Sequence, residues 1–301
     1  LYRHRHEILW TNTELYLLRG NYDLFTSVTI EALVGSRDWF SQALGSNNFG
    51  AIAIGQASLS GKGARLNWLL STQKTGLDPL PELLEHIGLE AGARGARSIS
   101  ASARVDDCLF EILRRAGFCI YSWQSVWKID NRQSEPLVNC PYNWRASSEK
   151  DAPVIETLQR KLLAPAVQSV TEFASTRLPN FVLEGDEGVQ GYAYIERANE
   201  LALIKPFFKV ETTVVDEALR QLMGEFLGDA SSVLLLQTSD QAWLTQTLLG
   251  MGSQVMPREE LLVKHFAVME KLPVANLNAA HNGRQTDTVR PLIPSSDIGD
   301  H

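Results

Sequence analysis

Hydrophobic and polar positions along the chain fall into two series with the same order. Residues 98–102 alternate as a strand, Asp106 and Asp107 mark a turn, and residues 108–116 place Leu109 and Leu113 four apart on one helical face. Gly117 stands where a left-handed helix cap is wanted, and residues 118–129 alternate again. Residues 232–266 repeat this order. They contain a strand at 233–237, a turn at Ser239 and Asp240, a helix over 241–250, Gly252 as the cap and a strand at 260–266. Aligning Gly117 with Gly252 brings Leu109 onto Leu244 and Leu113 onto Leu248.

The likeness extends upstream. Residues 50–54 match 191–195 as a strand after a turn, and residues 181–189 carry a hairpin signal. Strands at 65–70 and 201–207 follow, then amphipathic helices at 80–89 and 216–227. Each series reads as an antiparallel strand pair, a third strand, helix, strand, helix and strand. The fold class predicted is mixed α/β, with helices packed on a mostly antiparallel sheet, twice over. The expected organisation is a first domain over 1–130, a polar linker with two prolines over 131–141, a second domain over 142–268, and a flexible tail over 269–301. The chain opens inside what reads as a helix, so the first domain is expected to have lost part of its N-terminus.

Composition narrows the classes. At 301 residues, 44% hydrophobic and 21% charged, the chain has room for two cores. No apolar run reaches the roughly 20 residues that span a bilayer, so no membrane association is expected. The net charge of −7 arises after residue 130, and it argues against a nucleic-acid partner. Three cysteines without a paired spacing point to a reducing, cytoplasmic setting and to no metal centre. His4 and His6 are wrongly spaced for ligands on one helical face. Neither a phosphate loop nor a nucleophile elbow occurs.

The unit over 98–129 resembles the GCN5-related N-acetyltransferase (GNAT) family. That family commonly carries Asn-x-x-Ala-x-x-x-Tyr-x-x-x-Gly-Phe there, and the corresponding residues are Asp106, Leu109, Leu113, Gly117 and Phe118. Tyr142 to Ile155, with Arg145 closing a strand and Asp151 in the first turn of a helix, is similar to the family's opening strand and helix. The resemblance covers nearly all of residues 1–267 and implies a tandem arrangement with degenerate motifs.

The resemblance implies acetyl-CoA as co-substrate and a small-molecule or peptide amine as acceptor. The family's acyl-CoA loop, Gln/Arg-x-x-Gly-x-Gly/Ala, uses consecutive backbone N–H groups at a helix N-terminus to hold the pyrophosphate. Its counterpart in the first copy is Gln73, Lys74, Thr75 and Gly76, with amides of Leu70 and Thr72 completing the site. The second small residue of that loop is Asp78, followed by Pro79. The second copy offers Lys209 to Thr213 without a glycine. The family's acid tyrosine is replaced by Leu113 and Leu248, leaving Asp106 as the candidate base, against its alternative as a turn-capping residue. Tyr121 is expected to pack, and Glu31 to face either an acceptor or solvent. Two functions follow from the sequence. One is an N-acetyltransferase active in the first domain; the other is a non-catalytic tandem that binds a ligand or serves a structural purpose.

Overall fold

The computed structural model describes residues 8–19, 38–46, 50–71, 79–129, 140–171, 177–227, 230 and 232–266. The sequence expectations for the linker centre and the C-terminal tail fall outside these residues. The elements begin with β1 (Ile8–Trp10) and α1 (Thr13–Arg19), followed by β2 (Trp39–Ser46), β3 (Gly50–Ser60) and β4 (Gly63–Ser71). Next are α2 (Pro79–Ala93), β5 (Ser98–Ala103), α3 (Cys108–Arg115) and β6 (Cys119–Ile129). The second half holds β7 (Asn143–Ala146), α4 (Ala152–Leu162), α5 (Pro165–Gln168), β8 (Phe181–Gly185), β9 (Gly188–Ala198) and β10 (Leu201–Phe208). It closes with α6 (Val215–Phe226), β11 (Ser232–Thr238), a 3-10 run over Ser239–Leu244, α7 (Thr245–Met251), β12 (Gly252–Gln254) and β13 (Glu259–His265).

Local chemistry accounts for the helix ends. The Asp107 carboxylate accepts from the Leu109 amide at 3.1 Å and starts α3, whose Leu109 and Leu113 are buried. Gly117 follows at φ +87°, a left-handed position that suits glycine. Gly252 is a correction: it is extended rather than left-handed, at φ −177°. Its requirement is space, because a Cβ there would lie 2.1 Å from the Lys128 carbonyl oxygen of β6. Ser148 and Asp151 form a capping box on the 3-10 turn Glu149–Asp151 that leads into α4, and Arg145 meets both Asp151 oxygens at 2.8 Å.

The reading of the chain's opening residues as a helix interior falls on residues 1–7, outside the described residues. Ile8–Trp10 is a strand, and α1 begins only at Thr13. Asn12 causes the change of state. Its Oδ1 accepts from the Leu15 amide at 3.1 Å, an N-cap bond that ends the extended run and starts the helix.

Among the described residues thirteen strands belong to one sheet, ordered β2-β3-β4-β5-β13-β6-β11-β10-β9-β8-β7, with β1 added to β4 and β12 to β6. Two parallel pairs interrupt an otherwise antiparallel arrangement, β4 with β5 and β10 with β11. Between them the final strands of the two halves change places. β13 lies against β5, while β6 spans the centre, pairing with β13 over residues 119–124 and with β11 over residues 124–129. The layout is palindromic about the β13–β6 pair.

Each half buries a core on one face of the sheet. Leu83, Leu84 and Ile87 of α2 pack there with Leu109 and Leu113; Leu219 and Leu222 of α6 pack with Leu244 and Leu248 in the second half. On the opposite face, α4 and α5 cover β8 and β9 through Ile155, Leu158 and Val167. Leu17 and Leu18 of α1 reach the second half, packing with Leu201 and Leu203.

Candidate functional site

A cavity of about 190 Å³ lies on the face covered by α1, α4 and α5. Both halves build it. Glu14, Arg65 and Tyr121 come from the first half; Lys205, Thr238 and Asp240 come from the second. Tyr192 and Phe207 stack at 4.9 Å and, with Tyr194, give one wall an aromatic character.

The charges in the cavity are organised around Glu14. Arg65 meets one of its oxygens at 3.0 Å, and Lys205 lies 3.5 Å from the other. Burial alone would raise the Glu14 carboxyl, but Arg65 and Lys205 outweigh it and hold the pKa at about 2. Burial pushes the Tyr121 phenol up to about 12, so it stays protonated. Asp240 differs from Glu14. One of its oxygens accepts from the Ala164 amide at 3.2 Å, the other is buried without a hydrogen-bond partner, and burial pushes its carboxyl up. The Thr238 hydroxyl, two residues earlier, is also buried and unpartnered. Among the lining residues, three acceptor atoms are thus buried without a hydrogen bond: Asp240 Oδ2, the Thr238 hydroxyl and Glu14 Oε1, the last of which faces the Lys205 ammonium.

Two slots in the sheet bear on the expected co-substrate. β4 and β5 pair only at Ala64–Ile99 and Arg65–Ser100, then part toward the loop that follows β4. Parted parallel strands expose two rows of backbone groups, suited to an arm with amides of its own. The chain fills this slot itself. β1 pairs along Trp68 to Leu70, the Thr11 amide donates to the Asn67 carbonyl at 3.1 Å, and the Ser102 amide donates to the Thr11 carbonyl at 2.8 Å. Side chains complete the seal: Asn12 Nδ2 donates to Asn67 Oδ1 at 3.0 Å, and the Thr13 and Ser102 hydroxyls lie 2.9 Å apart. Gln124 Nε2 donates to Thr13 and to Glu259 at 2.9 Å each, and the Thr13 hydroxyl donates to Glu259. Ile8 and Trp10 pack with Trp68 and Leu70 outside the main core.

The second slot opens beyond the four-residue pairing of Leu201–Ile204 with Ser232–Leu235. One side chain closes it. Gln241 Oε1 accepts from the Phe208 amide at 2.9 Å, and Gln241 Nε2 donates to the Phe208 carbonyl at 3.2 Å. The turn before α6 is no better prepared for a pyrophosphate. The amides of Lys209, Thr212 and Thr213 donate to the Gln190 carbonyl, the Lys209 carbonyl and the Tyr142 hydroxyl. Asp216 and Glu217 add negative charge to the first turn.

Of the sequence-predicted site residues, Leu70 and Asp106 lie among the described residues. Thr72, Gln73, Lys74, Thr75, Gly76 and Asp78 lie outside the described residues, as does Glu31. Leu70 is enclosed between Ile54 of β3 and Ile8 of β1, so a ligand does not meet its backbone without displacing a strand. Asp106, the candidate base, is exposed, outside the cavity, and hydrogen-bonded by Arg104 at 3.0 Å. That hydrogen bond holds its carboxyl low, which weakens it as a base, and the capping role has passed to Asp107. Leu113 and Leu248, at the tyrosine positions, are core residues with no exposure. Tyr121 lines the cavity, where packing alone was expected.

Glu14, Thr238, Asp240 and Gln241 escaped the sequence reading. The Asn12 cap is the signal that would have moved β1 and Glu14 to their true places. Among the described residues, no group of His, Cys, Asp or Glu is arranged to hold a metal, and no helix is long and apolar enough to cross a membrane.

No family model matches the sequence, and no curated protein does. Solved structures do resemble the fold. A GCN5-related N-acetyltransferase from Sphaerobacter thermophilus superposes with a TM-score of 0.51 at 14% identity, over 80% of this chain and 84% of its own. A conserved protein of unknown function from Staphylococcus epidermidis also gives 0.51, at 11% identity, over 75% of this chain and 94% of its own. The mixed α/β architecture is therefore the GNAT fold.

Proposed function

We propose that this GNAT-fold protein binds a small amine-bearing molecule in the shared cavity and does not use acetyl-CoA in either half. One observation carries the reading: the chain's own groups fill both backbone slots, β1 and Thr11 in the first and Gln241 in the second. An acyl-CoA arm would have to displace them, and in the second half Asp216 and Glu217 set negative charge in the helix turn that would face its pyrophosphate. The residues present do not fit that co-substrate, so no transfer step is assigned to it. An amine suits the cavity because Thr238 and Asp240 offer unpartnered acceptors beside an aromatic wall. A cytoplasmic setting is part of the proposal, supported by three unpaired cysteines, Cys108, Cys119 and Cys140.

A second reading, N-acetyl transfer from acetyl-CoA to that amine, is favoured by Asp240. Its carboxyl is raised by burial toward the range of a useful base, and it lies one residue from Gln241 at the second slot. On this second reading the chemistry would belong to the second half rather than the first.

One experiment separates the two. The purified chain is titrated calorimetrically with acetyl-CoA and CoA, then incubated with acetyl-CoA and a broad panel of amines. The expected result is no saturable CoA binding at millimolar concentration, no acetylated amine, and a thermal shift with at least one cationic amine. A ligand at 100 times its Kd adds about 2.7 kcal/mol to stability, which a melting curve resolves. Micromolar acetyl-CoA binding with turnover would favour the transferase instead.

A further inference from the structure

Strand alternation decides what the second half shows to the cavity. Leu203, Lys205 and Phe207 of β10 line it, as do Leu236 and Thr238 of β11, with Asp240 following in the 3-10 run. One polar residue on each strand thus stands among apolar ones, a donor on β10 and an acceptor on β11.

The donors of the cavity are as incompletely used as its acceptors. Three cations line it, Arg65, Lys205 and Arg177, against two carboxylates that are already paired, Glu14 and Glu196. Arg65 and Arg177 hold those carboxylates at 3.0 and 2.7 Å. Lys205 lies 3.5 Å from Glu14, and the Glu14 oxygen it faces has no hydrogen bond, so donors of the ammonium are left over. The protonated Tyr121 hydroxyl likewise makes no hydrogen bond among the described residues.

We infer that the ligand of the shared cavity is an α-amino acid with an apolar side chain, its ammonium on Thr238 and Asp240 and its carboxylate on Lys205 and Tyr121. A plain amine would satisfy the acceptors and leave the donors unmatched; a plain carboxylate would do the reverse. A zwitterion serves both, and because it enters without net charge, the pairs Arg65–Glu14 and Arg177–Glu196 need not open. Its two charges must be close together, since Lys205 acts electrostatically on Glu14 and Asp240 alike. An ammonium and a carboxylate on one carbon meet that requirement. Leu163, Val167 and Val170 add aliphatic surface to the Tyr192–Phe207 stack, which suits an aliphatic or aromatic side chain. The inference rests on the reading that an amine occupies this cavity, and adds a carboxylate to it.

The test uses calorimetry on the full chain with two matched series. One is leucine, 3-methylbutylamine and 4-methylpentanoate; the other is phenylalanine, phenethylamine and 3-phenylpropionate. In at least one series the amino acid should bind at least tenfold more tightly than either compound that lacks one of its charges. Lys205→Met should erase the preference over the amine, and Asp240→Asn the preference over the acid. An amine or acid that matches its amino acid in both series overturns the inference, as does an unchanged preference in either folded variant. The wild-type comparison decides by itself if a variant does not fold. No binding by any of the six compounds also overturns the inference. The proposed function falls with it only if the broad amine panel is silent too, so the two failures are distinguishable.

Discussion

The two slots pose one problem and receive two answers. In each, parallel strands part and leave buried backbone groups that must find partners. The first half answers with a strand, a capped helix start and a polar layer running from Asn12 through Thr13 to Glu259. The second half answers with one carboxamide. The first solution is held by many cooperative bonds, whereas the second depends on one rotamer. Nearly equivalent topology therefore need not mean equal readiness to admit a ligand, and the lightly sealed slot is the one that lies beside Thr238 and Asp240.

The most severe way to break the comparison is to separate the halves. Expressed as residues 1–139 and 140–301, neither piece should show the cooperative melt of the whole, because each lacks the strand its partner supplies at the centre of the sheet. Mixing them should restore that melt, and two independently cooperative pieces would contradict the exchange. Substitution in the seals sharpens the comparison. Thr11→Pro removes the amide that donates to Asn67 inside a fully buried segment and should cost on the order of 2–4 kcal/mol in urea unfolding. The contrasting Gln241→Ala change leaves the N–H and C=O of Phe208 without their side-chain partner and should cost about 1–3 kcal/mol. A larger loss from Gln241 than from Thr11 would reverse the ranking of the seals.

The smallest effect concerns the ion group that joins the halves. Glu14 has a folded pKa of about 2, below its ordinary 4.5, so its stabilisation is complete above pH 4.5 and is lost as pH falls from there toward 2. Arg65 and Lys205 remain partly open to water, which limits its size. Glu14→Gln should flatten that acid limb of the urea midpoint while leaving the shape of the curve above pH 5 unchanged. An acid limb of equal slope in wild type and variant would remove Glu14 from the linkage.

Much of the element order was legible because it follows from local spacing. Leu109 and Leu113, four apart and followed by Gly117, specify α3 and its end wherever the rest of the chain lies. Alternation located β6 and β13 as strands, but a period of two says nothing about which strand lies alongside, so the exchange stayed hidden. Gly252 showed the same limit, since its reason is a neighbour more than a hundred positions away in sequence. The site was less legible still. Glu14, Lys205 and Asp240 meet only through tertiary structure, and Gln241 looks like an ordinary helix residue until Phe208 is opposite it. Asp106 drew attention through its motif position, yet its actual partner, Arg104, is two residues away on the surface.

The exchanged strands also set a schedule for synthesis. Proteins made from successive units usually fold the N-terminal one as it emerges. Here β5 lacks its neighbour until residues 259–265 have been translated, and the polar layer that seals the first slot lacks Glu259 until the same moment. The N-terminal half must wait on the ribosome with an open sheet edge, and its folding is completed by a strand translated about 130 residues after the half itself ends.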